Sequence, residues 1–172
     1  FGCRPRFFRN TELVYNNNIA TAVSEMGFEG MLAEGWDEIL GWRSPNFVYT
    51  AKGSPLRLLV RNYRLSDDIG FRFSNRAWPE WPLTAEKYAE WINLLNIDSG
   101  AQTLNLFMDY ETFGEHHWRD TGIFDFFENL CWRIMDNSGN KFTTPSRLVD
   151  ETDPAGELDF WRLGSWADME RD

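Results

Sequence analysis

Cysteine is scarce in this sequence: two residues in 172, Cys3 and Cys131. They form no Cys-x-x-Cys pair and no zinc-like Cys/His spacing, which excludes a disulfide framework and a cysteine-built metal centre. Isolated cysteines suit a reducing compartment, so a cytoplasmic location is the expectation. Positive charge is also scarce, with 17 Lys and Arg against 27 Asp and Glu and a formal net charge of -10. A nucleic-acid partner needs clustered Lys and Arg to meet phosphates, and none is expected here. No apolar run approaches the ~18 residues that a membrane span needs, and no Lys-rich amphipathic stretch is present, so no membrane partner is expected either. No Gly-rich phosphate loop opens any candidate helix, which argues against a doubly wound nucleotide-binding sheet.

What is abundant is aromatic surface: 9 Trp, 14 Phe and 5 Tyr. Such rings build cores, but their flat faces also stack on sugar rings while an N–H or O–H edge stays polar. The periodicity alternates between strand and helix. Arg6 to Tyr15 reads as a strand. Asn16 to Gly27 follows as a helix, with Ile19, Val23 and Met26 on one face and Gly27 as its stop. "GFEGMLAEG" reads as a second buried strand opening into a Trp-rich loop, and "SPLRLLVRN" as a third, behind a Gly-Ser-Pro turn. "TAEKYAEWINLLN" predicts a helix capped by Thr84, with Tyr88, Trp91, Ile92 and Leu95 in one stripe. "QTLNLFMDYE" reads as a fourth strand. "TGIFDFFENLCWRIMDN" predicts another helix, capped by Thr121, with Ile123, Phe126, Phe127, Leu130 and Ile134 inward. Ser138 to Glu157 reads as a polar loop or linker. The sequence starts at Phe1 and ends within a charged run, and both ends read as cuts.

Helices between short buried strands are the signature of parallel α/β architecture, and four strands are too few to close a barrel. In parallel barrels the catalytic groups gather where the strands end. On a regular first strand, Phe8, Asn10 and Glu12 would share a face, with Glu12 near its C-terminal end. On the fourth, Asn105, Phe107, Asp109 and Glu111 would do the same, with Asp109 near the end. Two carboxylates aimed at one mouth are what glycoside hydrolysis requires, one to attack the sugar and one to protonate the leaving oxygen. Around Asp109 the acids Glu111 and Glu115 crowd against His116 and His117, a setting that can raise a carboxyl pKa. The same crowding leaves open a divalent-metal site on Asp109, Glu111 and His116, and hence a metal-dependent deacetylase.

Three strings carry a resemblance. "FFRNTELVYNN" resembles the segment of glycoside hydrolase family 57 α-amylases that holds the catalytic glutamate, here Glu12. "LFMDYETFGEHHW" resembles the segment with the catalytic aspartate, here Asp109. "GSWADMERD" resembles the family's last signature segment, in which Trp166 and Asp168 would approach substrate. "GFEGMLAEGWDEILGWRSPNFVY" is also similar to the α-amylase branch.

The resemblance implies part of an incomplete parallel (β/α)7 barrel over residues 1–137. A linker and the start of a C-terminal helical region would follow over 138–172. It implies a retaining mechanism on α-1,4-glucans such as starch and maltodextrins. Glu12 would be the nucleophile and Asp109 the general acid/base, with carboxyl groups about 5–5.5 Å apart. No cofactor and no metal are implied. Trp36, Trp42 and Trp118 become candidates for sugar stacking, and Glu111 and His116 for substrate hydrogen bonds, while His117 points elsewhere. The family's opening His-Gln-Pro segment does not occur in this sequence, so the 172-residue piece alone is expected to have little activity. Two alternatives remain inside the family: a 4-α-glucanotransferase, in which a sugar hydroxyl replaces water, and a non-catalytic glucan-binding member.

Overall fold

A computed structural model describes residues 2–168. In chain order the main elements are β1 (Phe7–Arg9), α1 (Asn17–Glu25), β2 (Gly30–Ala33), α2 (Asp37–Leu40), β3 (Val48–Ala51), β4 (Arg57–Val60), α3 (Tyr63–Asp67), α4 (Ala85–Ser99), α5 (Ile123–Met135), α6 (Pro145–Glu151) and β5 (Glu157–Leu158). The chain forms two compact units. The first takes Phe1–Tyr63, Gln102–Asn105 and Thr143–Asp172; the second takes Arg64–Ala101 and Leu106–Phe142. Among the described residues no helix is long and apolar enough to cross a membrane.

The first unit is a five-stranded sheet in the order β1-β2-β4-β3-β5, with helices, and its class is α/β as expected. β1 pairs with β2 and β2 with β4 in parallel, in the registers Phe8↔Met31 and Met31↔Leu58. β3 is antiparallel to β4, joined by a turn at Lys52–Ser54, where Gly53 supplies a φ of 71°. The aromatic and β-branched run from Phe47 to Ala51, followed by Lys-Gly-Ser, forms β3 in addition to the expected strands, and its residue types carry the signal for it. The core gathers Met31, Leu58, Val60, Tyr49, Ala20 and Val23 with Tyr15, Trp36 and Phe160. α1 contributes Ala20 and Val23 from one face; Asn16 caps it by accepting the N–H of Ile19, and Gly27 (φ 84°) stops it as predicted.

The parallel strands β1, β2 and β4 all end at one edge. Three short segments leave from there: Asn10–Leu13, Glu34–Trp36 and Arg61–Asn62. β1 is shorter than expected, because the chain turns at Asn10 into a 3-10 turn over Thr11–Leu13. The predicted fourth strand does not form. Gln102 and Thr103 donate to the carbonyl of Asn46, and Asn105 accepts from the N–H of Asn62 while its side chain donates to the carbonyl of Val60. These four bonds, one of them through a side chain, replace a ladder. The stretch 138–157 is also more ordered than its composition suggested, since Thr144 caps α6 and Pro145 opens it.

The second unit packs α4 against α5 around Tyr88, Ile123, Phe126, Leu130, Phe73 and Leu83. The Tyr88 hydroxyl donates to the carbonyl of Leu65 at 2.8 Å. Thr84 receives the N–H of Lys87, as a cap should. α5 differs at two points. Its N-cap is Gly122 (φ 82°), since the Thr121 hydroxyl turns back to the carbonyl of Trp118. Phe127, expected inward, is 45% exposed, because the stripe through Ile123, Phe126 and Leu130 already fills the contact.

Candidate functional site

Glu12 sits just past the end of β1, in a backbone conformation that L-residues avoid. Its φ and ψ are 51° and 20°, and Leu13 follows with a φ of 52°. A left-handed residue costs about 1–2 kcal/mol, so two in succession persist only where the surroundings over-determine them. The surroundings do. Leu13 is fully buried. Asn10 accepts the N–H of Thr11 and donates to the carbonyl of Val14, closing the turn on itself. Residues from the far end of the sequence close it from the other side: Tyr15 and Gly164 exchange two backbone hydrogen bonds of 2.9 and 3.0 Å, and the Ser165 hydroxyl donates to the carbonyl of Glu12 at 2.9 Å. The turn carries the Glu12 carboxylate to the Trp166 indole, whose Nε1 donates to Oε2 at 2.6 Å.

Trp166 is 4% exposed, with the guanidinium of Arg9 at 5.1 Å and that of Arg61 at 5.4 Å from its ring centroid. Arg61, at the end of β4, meets Glu34, at the end of β2, at 3.2 Å; their side chains are only 3% and 2% exposed. The other Glu34 oxygen accepts the N–H of Gly35 at 2.8 Å. Gly35 is required there, because a Cβ would lie 2.1 Å from the carbonyl oxygen of Arg61. Arg9, Glu34 and Arg61 were not singled out from the sequence. The signal, opposite charges directly after two buried strands, becomes readable only once β2 and β4 are known to be neighbours.

The other expected residues of this unit divide sharply. Trp36, a candidate for sugar stacking, is 5% exposed and lies in the core against Phe160 and Gly164, with Arg162 at 5.0 Å from its ring; no open face is left for a sugar. Trp42 is the opposite, 91% exposed, with Arg43 against its ring. Asp168 is exposed at the end of the 3-10 turn that begins with Trp166. Met169–Asp172, the rest of the last signature segment, lie outside the described residues.

In the second unit Asp109 is exposed and extended, and its carbonyl accepts the N–H of Thr112, starting a 3-10 turn over Tyr110–Thr112. Glu111 and His116 come together, Oε1 to Nε2 at 3.4 Å, and His116 stacks on Phe71. Trp118 is 68% exposed. His117, beside His116, turns inward. It is 3% exposed, its Nε2 facing the carbonyl of Gly70 at 3.1 Å and its Nδ1 the hydroxyl of Ser74 at 2.6 Å. A carbonyl can only accept, so the proton is on Nε2 and Nδ1 accepts from Ser74. Burial pushes the pKa of His117 below the usual imidazole range, although the bonds to Gly70 and Ile69 oppose the shift. Its backbone also exchanges bonds with Thr112 and Gly114, so His117 pins the loop that carries Glu111 and His116. Among the described residues no group of three or more His, Cys, Asp and Glu side chains is placed to hold a metal ion.

Comparison with known proteins bears on the family and the fold of the chain. The family model "Glycosyl hydrolase family 57" matches residues 1–160. A protein named "Putative alpha-amylase" from Methanocaldococcus jannaschii is 48% identical over 174 aligned positions, which cover 100% of this chain and 36% of that protein. The chain therefore spans about a third of the length of that relative. Among solved structures, the 4-alpha-glucanotransferase from Thermococcus litoralis superposes with a TM-score of 0.69 at 18% identity, over 95% of this chain and 25% of that one. At that identity the likeness is one of fold, and it fits part of an incomplete α/β barrel.

Proposed function

The chain belongs to glycosyl hydrolase family 57, and from that premise we propose that its protein is a retaining glycosidase of α-1,4-glucans, with Glu12 as nucleophile and Asp109 as general acid/base. The observation that carries this reading is the constraint on Glu12. Strain of this kind gathers at functional sites, and here it serves to hold one carboxylate against one indole N–H at the end of a parallel sheet. With Oε2 engaged by Trp166, Oε1 is the oxygen left to attack.

In the proposed first step Oε1 bonds to the anomeric carbon as the glycosidic C–O bond breaks, and Asp109 passes its proton to the departing sugar oxygen. In the second, Asp109 takes a proton from water, whose oxygen displaces Glu12 from the anomeric carbon. The exposed rings of Trp42 and Trp118 offer sugar-stacking faces, and Glu111, His116 and Asp168 offer polar groups to sugar hydroxyls.

The test is an NMR time course of maltoheptaose with the full-length protein, comparing wild type with Glu12→Gln. Shorter products released in the α configuration by wild type alone are the expected result. Longer products as well would move the assignment to a transferase, in which a sugar hydroxyl takes the place of water. Unchanged maltoheptaose with both proteins would sink the catalytic reading.

A further inference from the structure

Arg61 and Glu34 form an ion pair that is almost wholly out of water, just past the ends of the paired strands β4 and β2, and β2 lies beside β1. Burying two charges is costly, and well-packed apolar residues would often serve stability as well or better. Stability is therefore a poor reason for a pair at this place. Its position suggests another. The Arg61 guanidinium lies against the ring of Trp166, and the Trp166 N–H holds the Glu12 carboxylate. A cation over an indole face draws density from the ring, and that strengthens the N–H as a donor. Arg61 is itself fixed at both ends, by Glu34 at its side chain and by the N–H···O bond from its backbone to Ala33.

We propose that Arg61, held by Glu34, is a positioning residue for Glu12 that acts through Trp166, fixing the plane of the indole and sharpening its N–H toward the carboxylate. The proposal rests on the reading of Glu12 as the nucleophile. The pair touches neither substrate nor reacting atoms. Its effect should fall on the catalytic step, and it should vanish when Glu12 is not the attacking group.

The experiment uses the full-length protein and a second nucleophile. Glu34→Gln/Arg61→Met removes both charges together. It is expected to lower kcat on maltoheptaose by about 10- to 100-fold with KM nearly unchanged, the size expected for weakening one hydrogen bond to a charged group. Arg61→Lys, which keeps the charge, should recover a large part of that loss. The same pair is then removed in a Glu12→Ala background, with α-maltosyl fluoride and azide. There azide bonds to the anomeric carbon from the vacated side, fluoride leaves with the bonding pair, and a β-glycosyl azide forms. The pair variant should leave that azide-dependent rate unchanged. Equal slowing of the azide reaction would make Arg61 and Glu34 merely structural and overturn the proposal, as would an unchanged kcat in the first experiment. A Glu12→Ala protein that stays active on maltoheptaose, or forms no glycosyl azide, overturns the nucleophile assignment and the proposal with it. If the double variant does not fold, Trp166→Phe, which keeps a ring and loses the N–H, is put through the same two reactions and must give the same contrast.

Discussion

Gly164 lies flat against the indole of Trp36, so close that a Cβ on Gly164 would fall 1.6 Å from the ring's Cη2. The same glycine exchanges two backbone hydrogen bonds with Tyr15, and that bridge delivers Ser165 and Trp166 to Glu12. A buried ring inside the core and a glycine with no side chain thus set the position of a carboxylate neither of them touches.

Gly164→Ala should therefore damage stability and activity together. Trp36 is 5% exposed and cannot swing aside without disturbing Phe160 and the core around it. Overpacking of this kind costs about 1–3 kcal/mol, and the strand bridge should loosen with it. Chemical denaturation of the variant, with kcat measured in parallel, checks this. A variant of wild-type stability would mean that the Trp36–Gly164 contact is softer than the geometry indicates.

Arg61→Ala should be far more damaging to stability than removing the whole pair. The single change leaves Glu34 charged, buried and without its Arg61 contact, for which the usual cost is about 3–5 kcal/mol. Glu34→Gln/Arg61→Met removes both charges and keeps an acceptor for the N–H of Gly35, so its loss should be much smaller. Denaturation midpoints of the two proteins decide the matter, and equal losses would contradict it.

Asp109→Asn should separate substrates by leaving group. If Asp109 supplies the proton to the departing oxygen, maltoheptaose turnover should fall by about 10²–10⁴-fold. Glycosyl fluorides, whose leaving group needs no proton, should still form the glycosyl-enzyme at near wild-type rate. Pre-steady-state fluoride release reads that first step directly. Equal damage with both substrates would assign Asp109 a structural role.

His117 should make the protein acid-sensitive. Burial holds its folded-state pKa below the unfolded value, so below neutrality the unfolded chain binds the extra proton first. Stability should therefore fall as pH drops through the unfolded imidazole range, and level off once the pH is below the folded pKa. His117→Gln keeps a donor for Gly70 and removes this titration, so its midpoint should change less between about pH 7.5 and 5. Thermal or urea melts across that range provide the measurement; parallel pH dependence in both proteins would rule out His117 as the cause.

The sequence by itself settled the α/β class, because local periodicity states which residues must face a core. The faces of α1, α4 and α5 were legible from Val23, Tyr88 and Phe126, and the strands β2 and β4 from their unbroken apolar runs. The segments around Glu12 and Asp109 were legible as motifs, with the residue types that glycoside hydrolysis uses. Tertiary structure decided what those periodicities cannot encode. The bend after Arg9, the left-handed backbone at Glu12 and the grip of Trp166 depend on a contact made across 154 positions of the chain. The ion pair of Glu34 and Arg61 depends on β4 entering the sheet beside β2. Trp36 and Trp42 look alike in the sequence, and only packing sends one into the core and the other into solvent. Local pattern records how a segment turns toward an interior, but which distant segment it meets there is set by strand order and by the space left between side chains.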